Sequence, residues 1–278
     1  MGRPFRSIAL LLTSVSLLWS AGCTSRPTYP KEHVLESLQQ LLTSEHLHPT
    51  LRFIDHTLAV QVAYPGALTQ SDHQVSIGPS FDDVSRKVLT ALHRVLLSSD
   101  AEVRFYVLLL SDPAIPGAYV TLVRYMDDVR RANANMLDTP EMFARTIFEL
   151  NTVGPPTPLT IDQYVPRDIR LEEFLSWQLA RRIQHTLVEG LEGSGIAHVG
   201  RCGGEFHNGE FAFTLNVVPA IDSSLDEATM RKIYATSTDV IARVLTSYHF
   251  NSFNSVRLIH PLTGRQLVLP KARLEVFR

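Results

Sequence analysis

Apolar residues recur along this chain with two periods, about 3.6 and 2, and the two alternate in a fixed order. Val34, Leu35, Leu38, Leu41 and Leu42 form one helical stripe and predict a helix over about residues 31–47. His48-Pro49 closes it, because the residue before a proline is pushed out of the helical region. Two strands follow at 51–54 and 58–64, the second with Leu58, Val60, Val62 and Tyr64 on one face. After a polar loop over 65–80, Phe81, Val84, Val88, Leu92, Val95 and Leu96 predict a second helix with Ser80 as its N-cap. Strands at 103–111 and 118–126 flank a turn rich in proline and glycine. The unbroken apolar run from Tyr106 to Leu110 predicts a strand buried on both faces. One or two short helices are expected between 127 and 150, where Thr139-Pro140-Glu141 places proline at a first helical position.

Residues 151–167 carry four prolines and no sustained period, the signature of a linker. Beyond it the order starts again. Leu171, Leu175, Leu179, Ile183, Leu187 and Leu191 recur every fourth residue beside Phe174 and Trp177, which predicts a long helix over 168–191 with both aromatics in the core. Asn208-Gly209 suits the two positive-φ positions of a type I′ turn and predicts a hairpin. Its second strand, 210–218, leads to a long helix at 225–248. Strands at 255–260 and 266–269 follow, with 273–277 extending the last one.

Both halves therefore read helix, strand, strand, helix, strand, strand. Asp83-Val84-Ser85-Arg86-Lys87-Val88-Leu89-Thr90 also matches Asp239-Val240-Ile241-Ala242-Arg243-Val244-Leu245-Thr246 at five of eight positions. The expected fold is α+β: internally duplicated helix-strand-strand-helix-strand-strand units with antiparallel sheets packed against helices. The first unit spans 31–150 with extra helices, the linker 151–167, and the second unit 168–278.

The N-terminus adds an address. Arg3 and Arg6 precede an apolar stretch over 8–19 that is shorter than the ~20 residues a membrane-spanning helix needs. Small residues, Ser20-Ala21-Gly22, then lead into Cys23, so 1–22 has the layout of a cleaved signal peptide. Cys23 in this setting resembles the lipobox of bacterial lipoproteins, although Ser20 stands where leucine is usual. The resemblance implies a diacylglycerol on the Cys23 thiol, cleavage just before it, an N-acyl lipid on the freed amine, and a polar tether over 23–30. Two or three acyl chains make such an anchor practically permanent. Ser20-x-Gly22 would also serve ordinary signal peptidase, which would release an unanchored protein cut at the same bond. By analogy with Gram-negative lipoproteins, Thr24 in place of Asp implies the outer membrane of such a cell.

Composition narrows the function. With 26 Lys and Arg against 28 Asp and Glu there is no basic footprint, so nucleic acid is not an expected partner. Cys23 and Cys202 are the two cysteines, and a lipidated Cys23 leaves Cys202 without an intramolecular partner. Weak metal candidates cluster in one stretch: His198, Cys202, Glu205 and His207. On a regular strand the first two face away from the last two, so a metal site needs a bulge at Gly203-Gly204. Cys202 as a nucleophile needs His198 or His207 as base and a lowered pKa. Asp82-Asp83, Asp127-Asp128 and Asp226-Glu227 read as favourable helix-start charges. No catalytic residue and no cofactor beyond the covalent lipid is assigned. The expected function is a membrane-tethered envelope lipoprotein, non-catalytic, that binds another envelope protein or scaffolds an assembly. The alternatives are a metal-dependent or thiol hydrolase centred on the Gly-rich hairpin 195–210, and a small-ligand carrier. A groove between the halves is the expected place for binding.

Overall fold

The computed structural model describes residues 27–72, 74–152, 160–192, 195–220 and 225–274. The signal peptide, Cys23 and most of the tether lie outside the described residues. A 3₁₀ turn (Lys31–His33) opens α1 (Val34–Ser44), which buries Val34, Leu38 and Leu42. The hairpin β1 (Thr50–Ile54) and β2 (Thr57–Ala63) follows. The expected polar loop instead holds a small hairpin, β3 (Leu68–Ser71) and β4 (Gln74–Ile77). Its alternation is faint in the sequence because Leu68 and Val75 pack inward and most of its other residues are exposed. The chain then crosses through α2 (Phe81–Leu96) and lays β5 (Phe105–Ser111) parallel to β2, with β6 (Ala118–Tyr125) antiparallel to β5. Two short helices, α3 (Met126–Asn133) and α4 (Thr139–Arg145), stand where they were expected. The Asp138 carboxylate caps α4 by accepting the Glu141 N–H at 2.8 Å. An additional strand, β7 (Ile147–Thr152), completes the sheet order β1-β2-β5-β6-β7.

One helical turn, α5 (Ile161–Tyr164), precedes α6 (Leu171–Leu187), which runs on into a π-helical turn (Val188–Glu192). After β8 (Ala197–Val199) comes the hairpin β9 (Gly203–His207) and β10 (Glu210–Thr214). Asn208 and Gly209 take φ values of 49° and 79° there, the pair a type I′ turn requires. β11 (Val217–Pro219) leaves this sheet to pair with β8. α7 (Glu227–Ser247) crosses over, β12 (Ser255–His260) lies parallel to β10, and β13 (Arg265–Pro270) closes the order β9-β10-β12-β13. A helical turn, α8 (Lys271–Leu274), takes up the first two residues of the expected strand extension, and the rest of that extension lies outside the described residues.

The α+β class is as expected, but neither large sheet is wholly antiparallel. A helical crossover returns the chain to the end it started from, so the strands it joins run parallel. Both β2–β5 and β10–β12 are such pairs. In direction and order, β9-β10-β12-β13 repeats β1-β2-β5-β6. The matching octapeptides lie in α2 and α7, the two crossover helices, with Val84, Val88, Val240 and Val244 buried.

Each sheet packs its helices on one face. In the first half Leu38, Leu92 and Val88 meet Tyr106, Leu108 and Leu110; in the second, Leu179, Ile183 and Val244 meet Phe211, Phe213 and Val256. A third cluster covers the far face of the first sheet. Ile161, Val165, Ile169 and Phe174 sit on Phe105, Val107 and Leu109, so β5 is buried on both faces as its sequence predicts. The buried Thr57 hydroxyl pins this cover, donating to Asp168 at 2.6 Å and accepting the Ile169 N–H at 2.9 Å. Burial of each large apolar side chain there stabilises by about 1.5–3 kcal/mol.

Candidate functional site

Helix α6 serves both halves, which explains its apolar periodicity. The Phe174 ring lies 5.3 Å from Phe105 and 6.3 Å from Tyr125 on the first sheet, whereas Leu175, Leu179 and Ile183 enter the second core. Beside these rings a buried polar cluster joins the halves. Asp128 accepts from Arg145 Nη1 at 2.8 Å and from Tyr248 Oη at 2.6 Å. Gln178 Nε2 donates to Tyr248 Oη and to the Arg145 carbonyl, both at 2.8 Å. Arg145 also lies 4.6 Å over the Tyr248 ring and donates from Nε to Glu141 at 2.8 Å. Burial, and then the Asp128 carboxylate, push the Tyr248 hydroxyl far above the ordinary phenol range, so it stays a neutral donor. Of the Asp127-Asp128 pair, Asp127 is an exposed partner of Arg130, as expected for a helix start, while Asp128 belongs to this buried junction.

Next to the junction lies a cleft of about 570 Å³. Val123 and Ile147 of the first sheet form one wall, and Val165 of the covering segment and Ile259 of the second sheet line it too. Trp177 and Arg181 reach it from α6. Trp177, expected in the core, is 40% exposed. The strand β9 closes against α6 because Gly204 has no side chain: a Cβ there would stand 2.2 Å from the Ser176 carbonyl oxygen. At Gly203 the nearest atom is 3.8 Å away. Pairing of β9 with β10 is residue for residue from Gly203–Thr214 to His207–Glu210, so the Gly-Gly step is a close approach and not the bulge a metal site requires.

Most charges around the cleft have partners; Arg181 has none among the described residues, and Glu205 stands exposed at the rim. Arg201 donates to Glu149 at 2.9 Å, Arg167 to Glu173 at 2.5 Å, and Asp168 holds Thr57. Arg181 Nη1 is buried without a hydrogen-bond partner among the described residues. Burial lowers the Arg181 pKa, opposed by Glu149 and reinforced by Arg201, both on the cleft wall. A guanidinium stays protonated nevertheless. A second groove of about 600 Å³ runs between α4, α6 and α7; Arg181 stands between the two and lines both, whereas Arg182 is tied to Glu141 and Arg243 to the Asp239 carbonyl.

The sequence-based candidates are not assembled. His198 is exposed on β8, opposite Val218, in a different sheet from Glu205 and His207, and Cys202 lies on the connection between the two strands. Glu205 and His207 are exposed on β9. Cys202 is buried; burial pushes its thiol up to about 11, and its sulfur meets the Asn216 backbone N–H. That is the opposite of the depressed pKa a nucleophilic thiol needs. Among the described residues no three His, Cys, Asp or Glu side chains lie where they could hold a metal ion. Nor is any helix among them long and apolar enough to cross a membrane. Comparison with protein-family models, curated proteins and solved structures finds no match for this chain.

Proposed function

We propose that this chain is a non-catalytic binding module of the cell envelope, tethered to a membrane through lipidated Cys23, with its binding surface in the cleft between the two halves. In a Gram-negative cell the membrane is the outer one, and the partner is another envelope protein. The observation that carries this reading is the cleft itself. Both halves line it, and it carries an exposed indole beside an arginine, Arg181, whose buried Nη1 has no partner among the described residues, so apolar and charged contacts with a partner are within its chemistry. We also infer that the halves arose by internal duplication, supported by the shared strand order and directions and by the equivalent placement of the matching octapeptides.

The test is crosslinking and pull-down of the full chain from detergent-solubilised native membranes, beside the Trp177→Ala variant. The expected result is one stoichiometric envelope protein, recovered with the wild type and lost with the variant, and an acylated Cys23 peptide by mass spectrometry. An unmodified Cys23 would mean a released protein. A metal that co-purifies and is lost on His198→Ala and His207→Ala would replace the reading with the hydrolase.

A further inference from the structure

Buried hydrogen-bond donors in folded proteins are nearly always satisfied, and a buried ionised one without an acceptor is costly. Arg181 Nη1 is such a donor, on the wall of the cleft. The neighbouring carboxylates do not release it. Glu149 is held by Arg201, Asp168 by Thr57 and the His56 N–H, and Glu173 by Arg167 and the Arg170 N–H. Glu205 stands exposed at the rim. Arg181 is thus the one arginine of the cleft without a carboxylate partner among the described residues, its Nη1 buried, in a setting whose other fixed charges are matched or in acidic excess. A phosphate brings nearly two negative charges and meets those carboxylates unfavourably. A single carboxylate suits the planar guanidinium, which binds it through two parallel hydrogen bonds. The rest of the wall asks for something apolar: Trp177, Val123, Ile147, Val165 and Ile259 present carbon, and about 570 Å³ holds a small-molecule-sized body.

We propose that the cleft recognises a carboxylate carried on an apolar body, with Arg181 taking the carboxylate and Trp177 and Ile147 taking the body. This rests on the binding-module reading and goes further by naming the group recognised. Two sources present that chemistry, the C-terminal residue of a partner chain and a free monocarboxylate.

Trp177 gives a direct readout, because the only other tryptophan, Trp19, falls in the expected signal peptide. The full chain isolated from its membrane in non-ionic detergent is titrated while indole emission is followed. The probes are hexanoate, hexanamide, an apolar tripeptide with a free C-terminus, the same tripeptide amidated, and inorganic phosphate. The expected result is saturable binding of an acid form, at least tenfold weaker for its amide, and none for phosphate. Preference for the tripeptide acid identifies a polypeptide source; preference for hexanoate identifies a free monocarboxylate. Arg181→Met should abolish binding while leaving the melting temperature unchanged or higher, since it removes a buried unpaired charge. Arg181→Lys should retain part of the affinity. Acids and amides binding alike, no saturable change with either acid, or undiminished binding by Arg181→Met would each overturn the proposal. Trp177-dependent capture of an envelope protein together with indifference to the carboxylate would sink this inference and leave the module reading standing. Acid-selective binding without any such capture would do the reverse.

Discussion

In the first half of the molecule the sheet is covered on both faces; in the second, the same strand order leaves one face open. The residues that point away from the helices account for the difference. Ala59, Val107, Leu109 and Val123 occupy that face in the first sheet and lie beneath the segment from Ile161 to Phe174. In the second sheet the outward positions on the paired strands β10 and β12 are Glu210, Ala212 and Thr214 opposite Ser255, Arg257 and Ile259, all partly exposed. Alternation and crossover helices therefore set the topology of both halves, while the chemistry of the second face decides which half is sealed. The cleft exists where the sealed face ends and the open one begins.

Exchanging the character of the two faces should break the comparison most severely. Val107, opposite Ala59 in β2–β5, holds the place that Arg257, opposite Ala212, holds in β10–β12; Val107→Arg therefore buries an unpaired charge under the cover, at a cost of several kcal/mol. The expected outcome is loss of cooperative unfolding or of soluble protein. Asp128→Ala comes next. It leaves Arg145 Nη1 and the Tyr248 hydroxyl without their shared acceptor in the buried junction, with Glu141 still holding Arg145 Nε, and should cost about 2–4 kcal/mol in urea unfolding.

A polar insert in the first core comes third. His93 Nε2 lies 2.8 Å from Tyr106 Oη, and Arg124 Nη1 donates to the same oxygen at 3.3 Å. Burial, and then Arg124, hold His93 down at about 4. The unfolded chain, with a histidine pKa near ~6.5, takes up its proton first as the pH falls. The stabilisation is therefore whole above about pH 6.5 and is lost progressively towards pH 4, about 3 kcal/mol in all. Unfolding free energies at pH 4, 5, 6 and 7 should show that slope in the wild type and a flatter one in His93→Gln.

Two smaller effects sharpen the contrast. Gly204→Ala should cost about 1–3 kcal/mol by overpacking β9 against α6, whereas Gly203→Ala next to it should be close to neutral in thermal melts. Arg257→Val on the open face removes a partly exposed pair with Glu210 and should change stability by less than about 1 kcal/mol.

Most helices and strands were legible because their periods are long and their faces clean, as in α2, α6 and the run that forms β5. What stayed hidden depends on what stands opposite. β7 carries two charged or amide residues, Glu149 and Asn151, among partly buried neighbours and has little alternation to read. Asp128 looks like any helix-start acid until Arg145 and Tyr248 are placed around it. Trp177 follows the same apolar spacing as its core neighbours, but falls where the two sheets part. The four candidates are close in sequence and yet apart in the fold: His198 is in one sheet, Glu205 and His207 are in another, and Cys202 is on the connection between them. Gly204 gave a signal in its type alone, and its reason is the carbonyl of a helix residue 28 positions earlier.

The most direct test of the cleft as the binding surface is site-specific photo-crosslinking in native membranes. A photoreactive residue replaces Trp177 in one chain and Leu262, an exposed apolar residue of the β12–β13 turn outside the cleft, in another. A crosslinked species formed on illumination from position 177 and absent from position 262 is the expected result. Equal labelling from both positions, or labelling from 262 alone, would contradict it.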